Sequence, residues 1–117
     1  MAKFLALFMG TPDLQPAAPP DEATIGRGMA AWQKWMADHA AQVVDTGGPV
    51  GKTKMASKAG LADTRNAVAG YVVVEAPSHD AAPSHDAAVR LFENHPHFAI
   101  FPGHAVEVME VLPIPGG

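Results

Sequence analysis

The chain has 117 residues and a mass of 12.2 kDa, the size of one domain. Eight basic residues stand against twelve acidic ones, a net charge of −4, so no broad basic footprint for nucleic acid exists. No cysteine is present, which excludes disulfides, thiolate nucleophiles and zinc–cysteine sites.

Residues 3–9 form a short apolar run ended by Gly10-Thr11-Pro12. Its length and aromatic content predict a buried strand. The apolar core of this run is shorter than the roughly 7–15 residues of a secretion signal, and no run approaches the roughly 18–20 residues of a membrane span. The reading is a cytoplasmic protein with no membrane partner. Residues 10–20 hold Pro12, Pro16, Pro19 and Pro20 and predict a loop.

Residues 21–43 predict a helix. Asp21 and Glu22 suit its positive end, and Ile25, Met29, Trp32, Met36, Ala40 and Val43 recur on one face. Trp35 sits at the edge of that face. Gly26 and Gly28 weaken the first half, each by up to about 1 kcal/mol relative to Ala. Val43-Val44 also reads as the start of a second strand, interrupted by the turn chemistry of Asp45 to Pro49. Residues 50–58 predict an edge strand and residues 60–66 a turn. Val68 to Glu75 is rich in β-branched residues and predicts a central strand that buries Tyr71.

Residues 76–81, Ala-Pro-Ser-His-Asp-Ala, are repeated identically at 82–87. Each copy offers a Ser helix cap followed by an Asp that suits the dipole. Pro83 would interrupt a helix begun in the first copy. The expectation is a helix over 85–94 capped by Ser84, with the first copy as loop. Asn94 and Pro96 end it, Ile100 to His104 turns, and Ala105 to Leu112 predicts the last strand. The order is β-α-β-(β)-β-α-β within a single domain, 1–117. That predicts an α+β ferredoxin-like split βαβ sandwich, an antiparallel sheet with two helices on one face. The other face needs a cover, which predicts a homodimer packed sheet to sheet.

The chain resembles the YCII-related domain. The resemblance runs through Lys3-Phe4-Leu5 to Met9-Gly10, Met29 with Trp32 and Trp35, and Val43-Val44-Asp45-Thr46-Gly47-Gly48-Pro49. It continues through Val68-Ala69-Gly70-Tyr71 to Glu75-Ala76, His95-Pro96-His97-Phe98 and Val106 to Val111. It implies a dimeric α/β barrel. One member of that family is linked to dehydrochlorination of a chlorinated hydroxyquinol. The family pattern has a His on the first helix and an acid before the Pro that follows the second, proposed as a catalytic pair. Here Ala31 or Trp32 stands at the first place and His95 at the second.

The chemical candidates are therefore His95, His97 and His104. Imidazole titrates near neutrality and serves as general base or metal ligand. A zinc site would need a further ligand, such as Glu93 or Glu107. The bland reading of these histidines is a helix cap or a solvated side chain. His97 and His95 are taken as candidate bases, and Trp32, Asp45 and His104 as substrate-binding candidates, with no metal and no cofactor. Trp32 and Trp35 are otherwise core, and Asp45 is otherwise a turn former. Gly47 to Thr53 imitates a phosphate loop, but Thr46 stands where the first Gly belongs and no helix follows. Ser78-His79-Asp80 and Ser84-His85-Asp86 are contiguous and cannot reach triad geometry. The functional expectation is a cofactor-free lyase or dehydrochlorinase acting by His-based proton abstraction on a small molecule. The alternative is a non-catalytic dimer module that binds a small molecule or another protein.

Overall fold

The computed structural model describes residues 2–11, 19–76 and 84–115, Ser84 by its backbone alone. The element order is β1 (Ala2–Met9), α1 (Glu22–Asp38), β2 (Val43–Pro49), β3 (Thr53–Ser57), β4 (Gly60–Thr64), β5 (Val68–Ala76), α2 (Ser84–Arg90), α3 (Pro96–Ala99) and β6 (Ala105–Glu110). Four strands form one antiparallel sheet in the order β2-β5-β1-β6. That order is the split βαβ arrangement of a ferredoxin-like α+β fold.

The register sets the layers. Phe4 lies opposite Val74, Ala6 opposite Val72 and Phe8 opposite Gly70, so these side chains share one face. All are buried, and Trp35 of α1, Ala88 of α2 and Phe92 join them in one cluster. The opposite face carries Leu5 across from Val73 and Leu7 across from Tyr71. Tyr71 is half-buried rather than core.

Helix α1 begins where the sequence places it, with Asp21 Oδ1 accepting the Thr24 N–H at 2.7 Å. It ends at Asp38, five residues before the expected Val43. Val43 pairs with Val74 instead, so sheet formation overrides the helical spacing. The expected turn over 60–66 is a strand: β3 and β4 form a separate hairpin, closed at Gly60 with φ of +112°. Helix α2 stops at Arg90 rather than 94. Residues 91–94 tighten into turns, and the Leu91 carbonyl is taken by the Trp35 indole N–H at 2.8 Å. The Ser84 cap and the loop expected over 77–83 lie outside the described residues and atoms.

Candidate active site

Two backbone irregularities open space beside the helix-covered sheet face. Strand β2 bulges between Asp45 and Gly48. Gly47 there has φ of +60°, and a Cβ on it would run into the Tyr71 carbonyl. The Gly-Gly pair thus serves a bulge and not a phosphate. The second irregularity is the turn from α3 into β6, which carries Phe101. Between them and α1 lies a cavity of about 390 Å³. Phe8 and Val72 contribute from the sheet, Met29, Trp32 and Met36 from α1, and Thr46 and Gly48 from the bulge. Pro49, Gly70, Tyr71, His97 and Phe101 complete the wall, and no Asp, Glu, Lys or Arg among the described residues is part of it.

His97 is placed by three contacts. Its Nε2 lies 2.7 Å from the Met9 carbonyl, which also accepts the His104 N–H at 2.9 Å. A carbonyl only accepts, so the imidazole proton sits on Nε2 and Nδ1 is the basic nitrogen. The His97 N–H donates to His95 Nδ1 at 3.0 Å. Gly103 donates its N–H to the His97 carbonyl at 2.9 Å, and a Cβ at Gly103 would strike the His97 ring. Burial pushes the His97 imidazole below its ordinary pKa, and the bond to Met9 pulls the other way. The side chain is neutral at physiological pH and available as a base.

His95 has a different environment. It caps α3, and it is fully buried. Because Nδ1 accepts from His97, the proton is on Nε2. That Nε2 has no hydrogen-bond partner among the described residues. Aromatic rings surround it: Trp32 at 4.6 Å and Trp35 at 4.9 Å between centroids, both edge to face, and Phe8 at 5.0 Å. Burial, then the neighbouring His97 and His39, push its pKa down to about 4. His95 is a neutral structural side chain behind the cavity wall.

The structure thus brings His97 and Trp32 together on one cavity and sets His95 behind them. Asp45 is exposed, and its Oδ1 accepts the Gly47 N–H at 2.8 Å as a turn former. His104 is exposed in a separate groove with Glu93 and Phe98. No group of three metal-ligating side chains is found among the described residues. Phe101 was not singled out from the sequence. Its ring occupies the space that a side chain at Gly28 would fill, a pairing across more than seventy residues with no local signal.

No protein-family model matches the chain, and no curated protein matches it. Among solved structures, it is similar to 5-chloro-2-hydroxyhydroquinone dehydrochlorinase from Burkholderia phenoliruptrix, determined in complex with 2,5-dihydroxybenzoquinone. The two share 20% identity over 91% of this chain and 89% of that chain, with a TM-score of 0.48. Likeness at this level bears on neither chemistry nor substrate, so any functional reading rests on the chain's own residues. No helix among the described residues is long and apolar enough to cross a membrane.

Proposed function

We propose that the chain is a small cytoplasmic, cofactor-free enzyme of the YCII type that removes a proton from a small uncharged substrate and expels a leaving group. The observation that carries this reading is the tautomer of His97. Its Nε2–H is committed to the Met9 carbonyl, which leaves Nδ1 as the basic nitrogen of a side chain that lines an apolar cavity. A positioned general base of this kind contributes typically about 10²–10⁴-fold to rate.

The lining narrows the chemistry. With no charged side chain on the wall, an ionised substrate would lose its hydration without compensation. A neutral, weakly acidic aromatic such as a phenol suits Trp32, Phe8 and Phe101. His97 Nδ1 takes a hydroxyl proton, and the imidazolium returns it to the halogen-bearing ring carbon, giving a ketone tautomer. The same nitrogen then takes a second hydroxyl proton, whose electron pair moves through the ring and expels the leaving group. One proton and one anion depart, and a quinone forms. No carboxylic acid or ammonium lines the cavity to protonate that group. A halide suits it, because a halide departs as an anion without a proton. The imidazolium then returns its proton to water.

A second copy of the chain is part of this reading. The open sheet face presents Leu5, Leu7, Val73 and Met109, and no described element packs over it. Packing two such faces together removes them from water.

The test is incubation of the full chain with a chlorinated hydroquinol, following chloride release and indole fluorescence together. Quenching with chloride release that His97→Ala abolishes supports the enzyme. Quenching without release supports a binding module, which one observation favours: a backbone carbonyl, not a carboxylate, orients His97.

A further inference from the structure

Among the described residues the β3–β4 hairpin pairs only with itself, as a two-stranded sheet beside the main one. Such a ribbon is marginal in water unless it packs on something. Along both strands only the root residues Thr53 and Thr64 are shielded. Leu61 is 88% exposed and Met55 45%. Lys54 lies opposite Asp63 and Ala56 opposite Leu61, so one side of the ribbon combines charge with an apolar tip.

Charge is segregated along the chain. Residues 52–65 hold Lys52, Lys54, Lys58 and Arg65 against a single acid, Asp63. The remaining residues carry four basic side chains against eleven acidic ones. Asp63 already meets Lys54 at 3.1 Å, which leaves Lys52 and Lys58 as the outward charges of the arm. The β6 edge of the open sheet face is the complement. Glu107 lies opposite Leu7 and Met109 opposite Leu5, so acid and apolar side chains alternate along β6 on that face, while Glu75 at the far end of β5 lies opposite Lys3.

We infer that the hairpin is an arm that reaches past the packed faces to lie along the β6 edge of a second copy's sheet. Leu61 covers the apolar strip around Met109 at that edge, and Lys52 and Lys58 meet Glu107. The inference rests on the two-copy arrangement proposed above and adds where the arms go. Reach is sufficient. A five-residue strand extends about 17 Å, more than three strand spacings of about 4.8 Å. A two-fold exchange places both arms at once and leaves no free end to recruit further copies.

The absence of cysteine makes the test direct. Leu61→Cys and Met109→Cys are made separately in the full chain, mixed, and oxidised mildly. Glu107→Cys, at an exposed position, serves as a second acceptor. The expected product is the mixed disulfide, in roughly tenfold or greater excess over self-linked products, because held groups react at millimolar effective concentration. Lys52→Glu with Lys58→Glu in the Leu61→Cys chain should remove that excess, and Glu107→Lys beside Met109→Cys should restore it. If the chain sediments as a dimer but neither acceptor cross-links to Leu61→Cys, the arm is overturned and the dimer stands. If it sediments as a monomer at every concentration, both are overturned.

Discussion

The backbone N–H of His97 donates to Nδ1 of His95 at 3.0 Å, and this one bond divides two histidines, two residues apart, between structure and chemistry. It fixes the His95 proton on Nε2, inside a ring of aromatic side chains with no acceptor among the described residues. It also holds the first turn of α3, from which His97 reaches the Met9 carbonyl. The cost of the orphaned His95 donor falls on stability. What it secures is the orientation of the neighbour.

Acid should therefore unfold the protein early. His95 titrates at about 4 when folded and at about 6.5 when unfolded. As pH falls below 6.5 the unfolded chain takes up a proton that the folded one refuses. Stability is full above 6.5, falls between 6.5 and 4, and levels off below 4, a loss of about 3 kcal/mol from this group. His97, also lowered, acts in the same direction. Urea midpoints measured across that range check the slope. His95→Asn keeps a cap acceptor for His97 but does not titrate. It should be less stable at pH 7 by roughly 1–3 kcal/mol, from the lost ring, yet show a flatter pH profile. An unchanged slope would remove His95 as the cause.

Gly103→Ala tests how tightly His97 is held. The added methyl meets the His97 ring and carbonyl, and neither is the free end of a flexible side chain. The expected outcome is a loss of about 1–3 kcal/mol, with the His97 imidazole resonances displaced in the NMR spectrum. Gly28→Ala sets two effects against each other. Helix propensity gains about 1 kcal/mol, while the methyl displaces the Phe101 ring from its seat. Stability should change little, and affinity for an aromatic probe should change markedly. Calorimetry on both variants separates the two effects.

Much of the frame was legible in the sequence. β1, β5 and β6 declare themselves by apolar and β-branched runs, and Asp21 marks the start of α1. Of the hairpin over 53–64, β3 falls within the strand expected over 50–58, but β4 reads as a turn, because Asp, Thr and Gly on a ribbon exposed on both sides leave no alternation to read. Helix α3 escaped because four residues are barely more than one turn and its cap is a His rather than the usual Ser or Asp. For the site, His95 and His97 are equivalent in sequence. Only the fold, by giving one a backbone carbonyl and the other a box of rings, tells them apart. Asp45 and His104 carry suitable chemistry but lie on exposed surface, as the turn residues Gly47-Gly48 after Asp45 and Pro102-Gly103 before His104 allow.

Trp35 joins the two helical segments. Its indole N–H donates to the Leu91 carbonyl at 2.8 Å while its ring stacks on Phe92 at 5.1 Å. Trp35→Phe keeps an aromatic ring but leaves a part-buried carbonyl unpaired and a void beside His95. A loss of about 2–4 kcal/mol is expected from the two together. Chemical denaturation measures it, and hydrogen exchange should show residues 91–95 opening first.

His97 gives the sharpest functional prediction, because its tautomer dictates both a rate and its pH dependence. The base must be neutral to act, and burial lowers its pKa. Turnover of a neutral phenolic substrate should therefore rise with pH on the acid side, through a pKa below 6.5, and be flat through neutrality. His97→Ala should lower kcat/KM by about 10²-fold or more, with aromatic binding largely kept because Trp32 and Phe101 remain. His97→Gln retains a side-chain amide that can donate to the Met9 carbonyl but has no basic nitrogen. It should fold like the parent and be as inactive as His97→Ala. If His97→Gln retains parental turnover, the base lies elsewhere. If both variants lose binding and turnover together, His97 acts by shaping the cavity and not by taking a proton.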